Sequence, residues 1–276
     1  MTSAGNSLTH LAIAIALSAH AAVYAQNEAV ETYAPRADSS RELTGEDAHN
    51  PPSFLTYDPM KVVPHEMEQC GTCHRAETEA WTASTHYKTY TDRHWTRQAQ
   101  SIVQRLGLRS LRRSGECSLC HYTETAYTAV GETRAVAGVS CQRCHGPAMD
   151  WYALHNEVGS FDAHGEELQA RGMRTRESLY ELYSTCYQCH TVPREALVNE
   201  GRHRSGTLKF ELVEWAEGEV RHHNFRLRGR EGNEEASLEH RRFLYVLGKM
   251  LELEYGLRAL SFAEEAGRYS EAQQER

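Results

Sequence analysis

Cys70-Gly-Thr-Cys73-His74, Cys117-Ser-Leu-Cys120-His121, Cys141-Gln-Arg-Cys144-His145 and Cys186-Tyr-Gln-Cys189-His190 are one C-x-x-C-H frame written four times. The four frames use all 8 cysteines of the 276-residue chain. Two Cys three positions apart lie on one side of a turn, where they can form thioethers to the two vinyl groups of a haem. The residue that follows then sits under the iron, and its imidazole becomes the proximal ligand. A C-x-x-C pair alone would leave zinc, a disulfide or a redox dithiol as alternatives. The His after every pair decides among them, and no Cys is left over for a disulfide. The pattern predicts four covalently bound haem c groups, with Cys70, Cys73, Cys117, Cys120, Cys141, Cys144, Cys186 and Cys189 holding them. His74, His121, His145 and His190 are the expected proximal iron ligands.

Working outward, the composition agrees. Hydrophobic residues make up 40% of the chain, Phe is scarce at 6, and His is abundant at 16. That is little apolar material for a large core, and haem macrocycles would supply the missing apolar faces. No run of 18 or more apolar residues occurs, which excludes a polytopic membrane protein. The net charge of −8 argues against a general nucleic-acid binder. Six Arg and no carboxylate lie between Arg93 and Arg113; this run reads as a solvated face or as a docking patch for a partner.

Residues 1–25 hold no Asp, Glu, Lys or Arg, carry the apolar run Leu11–Ala19, and end in Val23-Tyr24-Ala25. They read as a secretory signal peptide. Export to the periplasm follows, the compartment side on which such haems are attached. Residues 26–64, rich in Pro, are expected to form an extended N-terminal arm. Residues 65–232 then form the tetrahaem domain, and 233–276 a C-terminal helix packed on it.

Within that domain the spacing predicts a mainly α, compact fold with little β structure. Arg75 to Leu106 reads as helical, with Trp81, Trp95, Ile102 and Leu106 as packing positions. Tyr122 to Val139 reads as a small hairpin, and Glu177 to Tyr183 as a short helix entering the fourth frame. Leu208 to Leu212 is ambiguous between a strand and a helix start. The last helix is expected from an Asn233 N-cap to a stop at Gly267. Phe243, Val246, Leu247, Met250, Leu253, Leu257 and Leu260 recur along it at helical spacing. Gly248 and Gly256 weaken a helix by roughly 1 kcal/mol each against Ala, so close packing is expected there. This helix covers a haem face or makes a dimer contact rather than doing chemistry. The frames start 47, 24 and 45 residues apart, short enough to draw the haems into one unit.

For the sixth iron positions the chain outside the signal segment offers His49, His65, His86, His94, His155, His164, His203, His222, His223 and His240. Met60, Met67, Met149, Met173 and Met250 show no patterning toward the frames. Bis-His coordination and low potentials are therefore expected.

CGTCHRAETEAWTASTH, from Cys70 to His86, and GVSCQRCHGPAMDWYALH, from Gly138 to His155, resemble the tetrahaem cytochrome c-554 family. Phe210 and His222-His223 resemble the segment that follows its fourth motif. The resemblance covers roughly Gln69 to Asn224. It implies a mainly helical fold with haems in close stacked pairs. It implies His86 as distal ligand of the fourth haem, His155 of the first, and His222 or His223, with a lean to His223, of the third. In the family the second haem keeps an open face. This chain departs there, because His203, and also His94, are available to close it. The resemblance also implies electron transfer, commonly as acceptor from a multihaem oxidase of nitrogen compounds.

The expected function is that of a periplasmic electron carrier. Its partners would be redox proteins: a multihaem oxidase or reductase, a quinol-linked complex or a small cytochrome. Peripheral association with a membrane stays open, and a bound subunit docked through the last helix is a third reading. The alternative is an enzyme that reduces or oxidises NO, nitrite or hydroxylamine at an open second haem, with Arg109, Arg112 and Arg113 holding an anion. No Ser-His-Asp or Walker-type frame occurs, and no catalytic residue is assigned.

Overall fold

The computed structural model describes residues 57–63, 66–126, 132–157, 160–205, 210–222 and 233–276. All of them lie in the second of two units, 50–276. The signal segment, most of the arm, His49, His65 and His223 lie outside the described residues.

The architecture is mainly helical, as the sequence predicts, with one two-stranded sheet among the described residues. The first frame closes α1 (Glu66–Cys73) and opens α2 (Arg75–Thr82). The stretch read as one helical run is broken into α2, α3 (Thr85–Thr91) and α4 (Arg97–Arg105). The breaks are local. The Ser84 hydroxyl accepts from Tyr87 N–H and restarts the chain as α3, and Thr96 accepts from Ala99 N–H to start α4. Ala99, Ile102 and Val103 bury one face of α4. Trp95 does not pack: it sits on the 3-10 turn Arg93–Trp95 between α3 and α4 and is 76% exposed.

The second frame is α5 (Gly115–His121). The expected hairpin follows as β1 (Thr123–Ala126) paired antiparallel with β2 (Thr133–Ala137), with a register shift at Thr123/Glu124. The third frame is a helix by itself, α6 (Cys141–His145), and it ends at Gly146 with φ of +93°. A Cβ on Gly146 would lie 2.2 Å from the Gly172 carbonyl oxygen. The glycine after this frame is thus required twice, by its φ and by the close approach. α7 (Tyr152–His155) and α8 (Ser160–Ala170) follow. The fourth frame ends α9 (Leu179–His190), which starts later than Glu177 and runs through the whole frame. α10 (Glu195–Asn199), α11 (Leu212–Glu214) and a π-turn at Trp215–Glu219 lead on. Leu212 therefore begins a helix rather than ending a strand.

The long C-terminal helix is α12 (Leu238–Ser261), and α13 (Arg268–Gln274) folds back on it. Its N-cap is Ser237, whose hydroxyl accepts from His240 N–H, not Asn233. The Asn233 side chain instead donates to the Arg221 carbonyl. Gly267 caps α13 rather than stopping α12. Leu244, Leu251, Tyr255 and Ala259 form the buried face of α12, against α9, α11 and α13. The apolar stripe read from the sequence is mostly the opposite face: Phe243, Val246, Met250, Leu253 and Leu257 are more than half exposed.

Buried apolar side chains gather in separate small clusters. One joins Ala99, Val103, Leu111, Cys117 and Tyr122; another joins Tyr187, Phe210, Leu212, Leu251 and Tyr255. Others centre on Val198 with Tyr269 and on Trp151 with Leu168. The frames lie among these clusters, where a polypeptide of low apolar content would otherwise need its core.

Candidate functional site

Each frame His faces one other imidazole. The ring centres of His74 and His155 are 5.9 Å apart and nearly parallel. Those of His190 and His86 are 6.3 Å apart, those of His121 and His203 are 6.2 Å, and those of His145 and His222 are 6.1 Å. Two imidazoles on opposite sides of one metal, bonded at about 2 Å each and with roughly 1 Å from nitrogen to ring centre, have centres about 6 Å apart. All four separations fall there.

Chain-local devices aim these rings. His86 sits in α3. Its carbonyl accepts from Val139 N–H at 3.1 Å, and the Trp81 indole N–H donates to the Val139 carbonyl at 2.8 Å. A Cβ at Gly138 would lie 2.2 Å from the His86 carbonyl, so only glycine lets β2 come this close to α3. From the other side, a Glu219 carboxylate oxygen on the π-turn accepts from Thr85 N–H in the first turn of α3. His203 follows Arg202, a non-glycine residue with φ of +58°. There the chain leaving α10 reverses and His203 N–H donates to the Leu197 carbonyl at 2.8 Å.

Hydrogen bonds also fix which nitrogen faces the partner ring. The Nδ1 atoms of His145, His203 and His222 pair with the carbonyls of Arg174 (2.9 Å), Arg204 (2.6 Å) and Val220 (2.5 Å). A carbonyl can only accept, so Nδ1 carries the proton and Nε2 keeps its lone pair for a metal. Burial, as the largest cause, pushes the His121 and His145 imidazoles down to about 4 and His190 to about 3. It lowers His86 and His155 as well. Neutral imidazole is the form that binds iron.

The second, third and fourth frames converge on a cavity of ≈ 490 Å³. His86, His121, His190 and His203 line it with Phe210 and Trp215, and its walls are mostly apolar. The sulfur atoms of Cys120 and Cys189 are in hydrogen-bond contact across it, and Cys186 lies within electrostatic reach of Cys144. Burial raises the Cys117 thiol to about 11. The cysteines are free of disulfides. Among the described residues no group of three or more His, Cys, Asp or Glu is arranged to hold a metal ion. Apolar walls, closely placed sulfurs and facing imidazoles are what a thioether-linked macrocycle with two axial nitrogens requires.

The family described as cytochrome c554 and c-prime matches residues 69–146, the stretch that holds the first three frames. Over residues 69–146 the chain is similar to that family. Cytochrome c-554 from Nitrosomonas europaea is 21% identical over 130 residues, which is 45% of this chain and 55% of that protein. The chain thus spans about half the length of that curated relative. No solved structure matches. The similarity is to c-type cytochromes, a class that transfers electrons through covalently bound haem c.

Of the other candidates, His94 stacks on exposed Trp95 at 4.5 Å, His164 sits at a kink in α8 beside Glu167, and His240 lies in the first turn of α12. Met60, Met149 and Met250 are exposed. Sequence reasoning missed Arg143 and Gln142, the x-x of the third frame. Both are buried. The Arg143 guanidinium donates to the Leu119 carbonyl and covers the Tyr57 ring at 3.8 Å. Gln142 bonds Val63 N–H, the Val63 carbonyl and Ala148 N–H. Nothing in C-x-x-C-H marks its middle residues as structural, so no sequence signal announced them.

Proposed function

We propose that this chain is an exported, periplasmic tetrahaem cytochrome that passes electrons between redox proteins through four bis-His haems. The observation that carries the reading is the set of four imidazole pairs at 5.9 to 6.3 Å. The axial pairs would be His74 with His155, His121 with His203, His145 with His222, and His190 with His86. The frame cysteines would hold the macrocycles. Of the two adjacent candidates for the third haem, His222 is the one whose ring faces His145, while His223 lies outside the described residues.

Bound haem supplies reversible one-electron chemistry between ferric and ferrous iron. The polypeptide sets its terms. Neutral nitrogen ligands on both sides favour low potentials, and the apolar walls around the second and fourth frames keep water from the irons. The carbonyls behind His145, His203 and His222 hold the rings in one tautomer through oxidation and reduction. Electrostatic contact groups the rings into two sets: His86, His190, His121 and His203 in one, His74, His145 and His222 in the other. His155 joins the second set through His74. The haems would therefore lie as two close pairs, second with fourth and first with third.

The signal peptide at 1–25, the arm at 26–64, the tetrahaem domain at 65–232 and the packed tail at 233–276 complete the proposal. With His203 as distal ligand the second haem would have no open face, and the enzyme alternative would need one. The pyridine haemochrome of the purified protein should give four haems per chain. EPR of the oxidised protein should show only low-spin six-coordinate iron, and the reduced protein should bind no CO. A high-spin signal with CO binding would overturn the carrier reading.

A further inference from the structure

The exposed face of α12 goes beyond electron transfer. Phe243, Val246, Met250, Leu253 and Leu257 are 52%, 57%, 65%, 59% and 58% exposed, and Leu260 continues the row half-buried. Their spacing is 3, 4, 3, 4, 3, the a/d repeat of a two-stranded coiled coil. At about 100° per residue this row is centred about 160° from the row Leu244, Gly248, Leu251, Tyr255 and Ala259 that packs on the protein. A helix that is apolar on two opposite faces is ordinarily buried on both.

We propose that this outward seam binds a second copy of this chain as a parallel two-stranded coiled coil. The charges beside the seam select this occupant. With Phe243, Met250 and Leu257 at a and Val246, Leu253 and Leu260 at d, Lys249 takes a g position and Glu254 the following e position. In a parallel pair g meets e of the partner helix, so Lys249 of each copy faces Glu254 of the other, twice by symmetry. Within one copy Lys249 pairs with Glu252 at 2.7 Å, and Glu254 with Arg258 at 2.6 Å and with the Tyr180 hydroxyl at 2.8 Å, so in the pair each charge would be shared between this neighbour and the other copy. Like layers would stack in register: Phe243 on Phe243, Met250 on Met250, Leu257 on Leu257. A bilayer-lying helix would instead be flanked by Lys and Arg on both sides, whereas Glu254 flanks this seam on one side.

The test is the mass in solution of the full holoprotein by light scattering, across a dilution series. The expected result is a dimer whose dissociation constant rises at least tenfold in Met250→Glu and in Leu253→Glu. Both side chains are exposed in the single copy, so haem content and absorption spectrum should stay unchanged in those variants. Lys249→Glu should also weaken the dimer, and Lys249→Glu with Glu254→Lys should restore it. A monomer at every concentration, or a dimer indifferent to Met250→Glu, overturns the proposal. A dimer lost in Met250→Glu but indifferent to the charge exchange overturns the parallel pairing. A monomer that floats with phosphatidylglycerol vesicles would make the bilayer the occupant and likewise refute it.

Discussion

Gly248 and Gly256 lie eight residues apart in α12 and should respond to the same substitution with opposite signs. A Cβ at Gly248 would lie 2.8 Å from the Leu212 Cβ and 3.1 Å from the Tyr187 hydroxyl. The first neighbour is fixed to the α11 backbone and cannot swing aside. Overpacking of this kind costs about 2 kcal/mol, and the better helix propensity of Ala offsets about 1 kcal/mol of it. Gly248→Ala should therefore destabilise by about 1 kcal/mol. A Cβ at Gly256 would meet Arg276 carbons at 3.5 and 3.6 Å and the Gln273 carbonyl oxygen at 3.8 Å, all ordinary contact distances. Gly256→Ala should keep the propensity gain and stabilise by about 1 kcal/mol. For a domain of this size each kcal/mol moves Tm by about 2–4 °C. Circular dichroism melts of the two holoproteins at one scan rate and one concentration measure the difference, about 4–8 °C between the variants. Equal shifts of the same sign would show that Leu212 and Tyr187 do not press on Gly248, and that α12 is not seated on α9 and α11 as described.

Three further outcomes can be checked. His203→Ala should leave one haem in four high-spin and make the reduced protein bind one CO per chain, with the other three unchanged; a fully low-spin variant would remove His203 as the partner of His121. Gly138→Ala pushes a methyl group into the His86 carbonyl, so it should disturb the low-spin signal of the fourth site and lower stability by about 1–3 kcal/mol; an unaltered spectrum and melt would count against the β2–α3 contact. Gln142→Leu leaves Val63 N–H and Ala148 N–H without their side-chain acceptor, at about 1–3 kcal/mol for each buried group. Its signature in hydrogen exchange should be loss of protection near Val63, and retained protection there would refute the role.

What the sequence disclosed followed from local chemistry. C-x-x-C-H is legible because thioether and axial bonds need those residue types at that spacing. The hairpin, the helical class and the last helix were legible from periodicity and turn residues. The facing of α12 was not. Both of its rows are apolar, so periodicity picks out Phe243–Leu260 as readily as Leu244–Ala259, and only packing against Tyr187 and Leu212 separates them. Trp95 misled for a related reason. A large aromatic is ordinarily buried, but here a 3-10 turn between Ser84- and Thr96-capped helices carries it outward. The pairing of His203 with His121 depends on the reversal after α10, which hinges on the positive φ of Arg202, a residue type that gives no warning of it.

Nearness along the chain does not decide which of the frame rings are in electrostatic reach of one another. The second and third frames start only 24 residues apart, the shortest of the three intervals. Yet the rings of the second frame group with those of the fourth, and the rings of the third with those of the first. The hairpin lies between the second and third frames. β1 leaves His121 and β2 returns to Cys141, and the buried Thr123 and Ser140 hydroxyls join at 2.7 Å across its base. That contact sets the end of α5 and the start of α6 side by side at the base. α6 then contacts α1, while α4 and α10 come together near the second frame through the Arg105 guanidinium, which donates to the Gly201 carbonyl. α9 touches α6 as well, so the fourth frame borders both sets. Gly248 of α12 closes on that same helix at the Tyr187 hydroxyl, so the tail is seated on the element that borders both sets.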